Sequence, residues 1–183
     1  MMSTMCRLAA VPAILLATAQ GADAWQALTA ISFPVAQTVE GDRFAAYCET
    51  GAGAPAVRLH IAGMRDGKGQ LRVQLYGDAP ESFLEKGARL IRIQVPTPPE
   101  GETARLCVPL TVPGTYALFV LHDRDMNGKA GIFSEGFGFS NNPQLKLRKP
   151  RHDEVAFTVG QEVLDMNIEM QYFGGERRRS HGR

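Results

Sequence analysis

From residue 56 onward the chain alternates between apolar and polar positions. In "AVRLHIA", Val57, Leu59 and Ile61 share one side, and Arg58 and His60 share the other. In "QLRVQLY", Leu71, Val73 and Leu75 point inward, with Arg72 and Gln74 outward. "RLIRIQV" groups Ile91, Ile93 and Val95, and "TARLCVPL" groups Leu106 and Val108 with Cys107 opposite. "EVAFTV" aligns Val155, Phe157 and Val159. "VLDMNIEMQYF" sends Leu164, Met166, Ile168, Met170 and Tyr172 inward and Asp165, Asn167, Glu169 and Gln171 outward. A period of two is the signature of a strand with one covered face. "TYALFVLH" breaks the rule, being apolar on both faces, which predicts a central strand covered on both sides.

These seven runs, punctuated by Gly and Pro, predict an all-β fold: an antiparallel seven-strand β-sandwich of immunoglobulin-like or transthyretin-like form. "RDGKG", with Asp66 and Gly67 at its tip, predicts a hairpin joining the first two runs. Pro113 and Gly114 predict a turn into the central strand. The one helical candidate is "APESFLEKGA", with Phe83 and Leu84 tucked beneath it.

The N-terminal end follows a different pattern. Arg7 precedes an uncharged apolar run from Leu8 to Ala19, and Ala22, Asp23 and Ala24 form a small-x-small cleavage site. Residues 1–24 therefore read as a secretory signal peptide, too short to span a membrane, with cleavage after Ala19 as the weaker alternative. Residues 25–55 form a weakly patterned lead-in, 56–173 the β-sandwich, and 174–183 a basic flexible tail with Arg177, Arg178 and Arg179. The implied compartment is the periplasm or the exterior. A formal net charge of +1 gives no field that would draw the chain to nucleic acid, and no later segment approaches membrane-spanning length. Two cysteines follow the leader, Cys48 and Cys107. In an oxidising compartment a lone pair predicts one disulfide, which would tie the lead-in to the sandwich; two buried thiols are the alternative.

The densest chemistry is "HDRDMNGK", residues 122–129. Asp123, Asp125 and Asn127 stand at positions one, three and five of a calcium loop, and Gly128 stands at the sixth-position turn. The twelfth position is Ser134, and Glu135, one residue late, would have to complete the shell for Ca2+. The competing reading is a tight turn, because Asn127-Gly128 is a strong hairpin signal and aspartates cap backbone amides. Nearby, His122, Phe133, Phe137, Phe139 and Asn141 form a candidate binding loop. Its aromatics would either plug the sandwich end or offer a platform to a sugar or peptide. The chain has no H-E-x-x-H, no G-x-S-x-G and no paired-cysteine zinc spacing, so no enzyme is expected.

"PGTYALFVLHDRDMNGK" followed by "GFGFSNNP" resembles the uncharacterised bacterial family catalogued as domain of unknown function 2141. The resemblance rests on Pro113 to Ala117, His122 to Lys129 and Gly138 to Asn142, and it covers roughly residues 56 to 172. It implies an exported β-sandwich and names no reaction. Many members carry an acidic residue shortly after the Gly-Lys, where this chain has Ala130 and Gly131. The expected function is a non-catalytic binding module of the cell envelope, engaging an envelope polysaccharide or protein through residues 122–142. The alternatives are a structural envelope accessory protein and a hydrolase acting on envelope polymers.

Overall fold

The computed structural model describes residues 37–40, 44–50 and 55–174. The segment read as a signal peptide (1–24) and residues 175–183 of the basic tail lie outside the described residues. The segment read as a lead-in contributes strand β1 (Gln37–Glu40) and a short helix, α1 (Ala45–Thr50). The seven expected runs are all strands: β2 (Ala56–Ala62), β3 (Gln70–Tyr76), β4 (Ile91–Pro96), β5 (Ala104–Pro109), β6 (Gly114–Asp123), β8 (Ala156–Val159) and β9 (Val163–Glu169). The last run continues, after Met170, into β10 (Gln171–Tyr172). Between β6 and β8 lie β7 (Gly136–Phe139) and a one-turn helix, α2 (His152–Val155). The helical candidate around Phe83 shrinks to a 3₁₀ turn over Pro80–Ser82.

The strands form two sheets. The larger runs β1-β4-β3-β6-β7-β10, with β8 also paired to β6, and the smaller runs β5-β2-β9. Two expectations need correction here. The described residues hold ten strands, not seven, and the sheets are mixed, not antiparallel throughout: β1 runs parallel to β4, and β2 runs parallel to β9. The expected hairpin between β2 and β3 is also absent. β2 spends both edges on β5 and β9, and β3 spends both on β4 and β6, so "RDGKG" carries the chain from one sheet to the other.

The period-two pattern located the core well. Val57, Leu59 and Ile61 from the small sheet meet Leu71, Val73, Leu75, Ile91, Ile93, Leu118 and Val120 from the large one in a single buried cluster. β6 is covered twice, as its sequence demands. Leu118 and Val120 face that cluster, while Ala117, Phe119 and Leu121 face a second one with Tyr76, Phe83, Phe139 and Val155. That second cluster covers the outer face of the large sheet. It also buries Arg72 and Gln74, which the alternation of β3 had placed in solvent. Val155 belongs to it because the α2 turn rotates Val155 away from Phe157 and Val159, which stay in the first cluster.

A third, small cluster joins Cys48 of α1 to Ala56 and Cys107 around a disulfide with Cα atoms 5.8 Å apart. Cys107 points away from the main core, as the alternation of β5 requires. The crosslink closes a loop of 59 residues, worth roughly 4 kcal/mol in the chain-entropy account. The crossover between sheets is set by backbone contact. Gly69 has φ +68, and a Cβ on it would lie 2.1 Å from the Asp123 carbonyl oxygen at the end of β6.

Two outcomes follow. Cys48→Ser should lower stability by about 2–5 kcal/mol in denaturant unfolding, and the native, unreduced wild type should resist alkylation at both sulfurs. Gly69→Ala should cost more than Gly87→Ala. Both have positive φ, but the added methyl meets backbone at Gly69 and nothing within 4 Å at Gly87. The expected losses are about 2–3 kcal/mol and about 1 kcal/mol, read from urea midpoints at constant m.

Candidate functional site

The C-terminal end of β6 gathers the polar chemistry. His122 is fully buried. Its Nε2 lies 2.7 Å from the Lys68 carbonyl, which can only accept, so Nε2–H donates there. Nδ1 then accepts from the Tyr172 hydroxyl at 2.6 Å, and that hydroxyl accepts from the Arg65 amide at 2.9 Å. Burial pushes the imidazole pKa down, which matches this neutral tautomer. His122 is therefore a fastener between the crossover and β10. Beside it, Arg124 pairs with Asp66 of the crossover, and this partner holds the Asp66 carboxyl down at about 2.

Asp123 has no exposed surface. Its Oδ2 accepts from Gly128 N at 3.1 Å, Arg72 Nη1 at 3.3 Å and Gln70 Nε2 at 3.3 Å. Its Oδ1 is buried without a hydrogen-bond partner. Glu135 is 1% exposed, and its Oε2 accepts from the Arg124 amide at 2.5 Å. Its Oε1 is likewise buried and unpartnered. Glu135 reaches this place because the loop closes on itself, Glu135 N bonding to Gly131 O at 3.0 Å. Asp125, exposed, completes a triad whose ligand oxygens lie within 4.8 Å of one another. Asn127 is not part of it. Its amide donates to Asp125 Oδ1, its Nδ2 to Asp125 Oδ2, and its Oδ1 accepts from Lys129 N, so it shapes the turn. Asp123, Asp125 and Glu135 could thus hold a hard cation, with further oxygens from backbone or water.

The aromatics of the proposed binding loop divide. Phe133 is 70% exposed. Phe139 is buried and stacks on Phe119 with centroids 4.9 Å apart. Phe137, half-buried, also stacks on Phe119, with centroids 6.4 Å apart. Asn141 turns out to be a structural pin: it adopts φ 62 and donates to the Ala156 carbonyl, while Asn142 pairs with β9 through Asn167 O and Glu169 N. Ser140 fills the seam where β6 passes from β8 to β7, accepting from Leu118 N–H and donating to Val155 O. "SNN" is therefore a three-point clasp between strands.

Phe137 and Phe139 also line a cavity of about 610 Å³ on the outer face of the large sheet. Its other walls come from Tyr76, Arg89, Arg92 and the segment 145–150. No sequence motif marks this cavity. Its only signals were the outward polar positions of β3 and β4 and the apolar Leu145 and Leu147 inside an otherwise basic stretch. Among the described residues, no helix is long and apolar enough to cross a membrane.

No curated protein and no solved structure matches this chain. One bacterial family does, described as "Uncharacterized protein conserved in bacteria (DUF2141)", over residues 59–167. That interval runs from the first core strand through the carboxylate loop and the Ser140–Asn142 clasp to β9, and the chain belongs to this family.

Proposed function

We propose that the chain is an exported, non-catalytic binding module, a β-sandwich of immunoglobulin-like or transthyretin-like form. Its loop end, 122–142, is held by calcium and engages a ligand of the cell envelope. The observation that carries the cation is the pair of sealed, unpartnered oxygens, Asp123 Oδ1 and Glu135 Oε1. A buried acceptor left unpaired costs about 1–3 kcal/mol, and more when charged. Three carboxylates at this separation also repel, and one guanidinium, that of Arg72, is paired with them. A divalent ion offsets both costs. The backbone bonds of the turn use Asp123 Oδ2 and Asp125, and so coexist with an ion on the remaining oxygens and lone pairs.

Export rests on the leader pattern and is supported by the Cys48–Cys107 crosslink, which persists in oxidising compartments. Binding in place of catalysis is supported by position: the buried carboxylates do not line the cavity, and the buried imidazole of His122 is spent on Lys68 and Tyr172.

The test is thermal melting in millimolar calcium and in chelator. At ten times the dissociation constant, bound calcium adds about 1.4 kcal/mol, about 3–5 °C for a domain of this size. Glu135→Gln keeps an acceptor for Arg124 N–H and turns a donor toward Asp123. It should melt in chelator at or above the wild type and show no response to calcium. A wild type that melts at the same temperature in both buffers leaves the loop as a turn alone.

A further inference from the structure

The floor of the cavity is ordered by strand register. Arg92 on β4 lies opposite Gln74 on β3, Gln74 opposite Phe119 on β6, and Phe119 opposite Phe139 on β7. One row across four strands therefore runs from a guanidinium to a pair of stacked rings, a span of roughly 14 Å at ordinary strand spacing. The adjacent row runs from Gln94 on β4 through Arg72 and Leu121 to Phe137, and of these only Phe137 lines the cavity. The cavity is thus cationic at its β4 side and aromatic at its β7 side.

The cationic side has one acid in its lining, Glu85, which is exposed and forms no ion pair with either arginine. Among the described residues, no ion pair involves Arg89 or Arg92. Arg92 Nη2 donates to Gln74 Oε1 at 2.9 Å, but its Nε is buried and unpartnered, as is that of Arg89. Burial, then the nearby charges of Arg72 and Arg89, pull the Arg92 pKa down to about 10. Clustered guanidinium groups beside apolar walls are costly without a counter-charge, and a guanidinium fork matches a carboxylate with two parallel hydrogen bonds.

We propose that this cavity binds an amphipathic organic anion, a medium-chain acyl carboxylate, with its head on Arg92 and Arg89 and its chain over Phe119, Phe137 and Phe139. The volume of about 610 Å³ falls within the range of small-ligand pockets, about 300–1,000 Å³, which join apolar walls to a few convergent polar groups. Leu147, 77% exposed, stands in the segment that borders the cavity and covers the chain once a ligand is seated. This deepens the binding-module reading and rests on it for its biological sense, but it uses none of the carboxylate loop.

The probe is decanoate, titrated calorimetrically in calcium and, separately, in chelator, with decanol and decyltrimethylammonium as neutral and cationic controls and decyl phosphate as a second anionic head. The expected result is saturable one-to-one binding of decanoate in either buffer, at least tenfold tighter than decanol, with no binding of the cation. Arg92→Met should weaken decanoate at least tenfold and leave decanol unchanged. Leu147→Glu, at an exposed site that folding does not depend on, should weaken decanoate by placing a like charge at the mouth. Tighter decyl phosphate than decanoate would shift the head to phosphate within the same anionic class. Equal binding of decanol and decanoate, an unaffected folded Arg92→Met, or no saturable binding in either buffer would overturn the proposal. A melting temperature indifferent to calcium would sink the cation reading without touching this one.

Discussion

β6 is buried on both faces, and most of the architecture answers that one constraint. Its alternate side chains enter two separate apolar clusters. One face is covered by the small sheet, whose strands satisfy their own backbone. The other is covered by Phe83, by Val155 of α2 and by residues 130–151, which contribute only the short β7 to either sheet before α2 begins. Such chain must find partners for its amides and carbonyls in turns and side chains. The Ser140–Asn142 clasp, the Gly131–Glu135 turn and the acceptance of Arg124 N–H by Glu135 are those partners. The buried acids serve the same need, Asp123 accepting from Gly128 N–H and Glu135 from Arg124 N–H.

The sequence revealed the inner half of this design and concealed the outer half. Alternation reports polarity, so it assigns Val57, Leu59, Leu71 and Ile168 correctly to the core. It sent Arg72 and Gln74 to solvent for the same reason. Their burial comes from a covering segment that has no period to read. The doubly apolar run of β6 was the one local sign that such a cover exists. The disulfide was legible from cysteine count and compartment. The partner strands of β2 were not, because Gly63 and Gly69 can serve a hairpin or a crossover equally, and only the contact of Gly69 with the Asp123 backbone decides. At the candidate site, Asp123, Asp125 and Glu135 were read from spacing alone, although Glu135 sits one residue beyond the expected ligand position. Spacing marks Asn127 and Asn141 as ligand or binding residues, and the structure spends both on hydrogen bonds to backbone.

Both candidate sites border the covering segment, at opposite charge. The carboxylate loop is an anionic, sealed end; the cavity is a cationic, half-open one. Arg72 stands between them, its Nη1 on Asp123 and its charge felt by Arg92. The segment between the two, including Ala130 and Ile132, borders the cavity directly. In physical terms the segment is fixed at the loop end and least supported at 145–150, where Leu147 is exposed and the side chain of Arg148 is engaged with Lys149 and Glu154.

Amide hydrogen exchange separates a core from a cover, because a core strand exchanges only through global unfolding whereas a locally opening segment exchanges sooner. On this account, amides of Leu118 to Leu121 exchange at the global rate, residues 145–150 exchange much faster, and decanoate slows the second group alone. Exchange of both groups at one rate, or equal slowing of both by the ligand, would contradict the account: the cover would then be part of the core and the cavity only a packing gap.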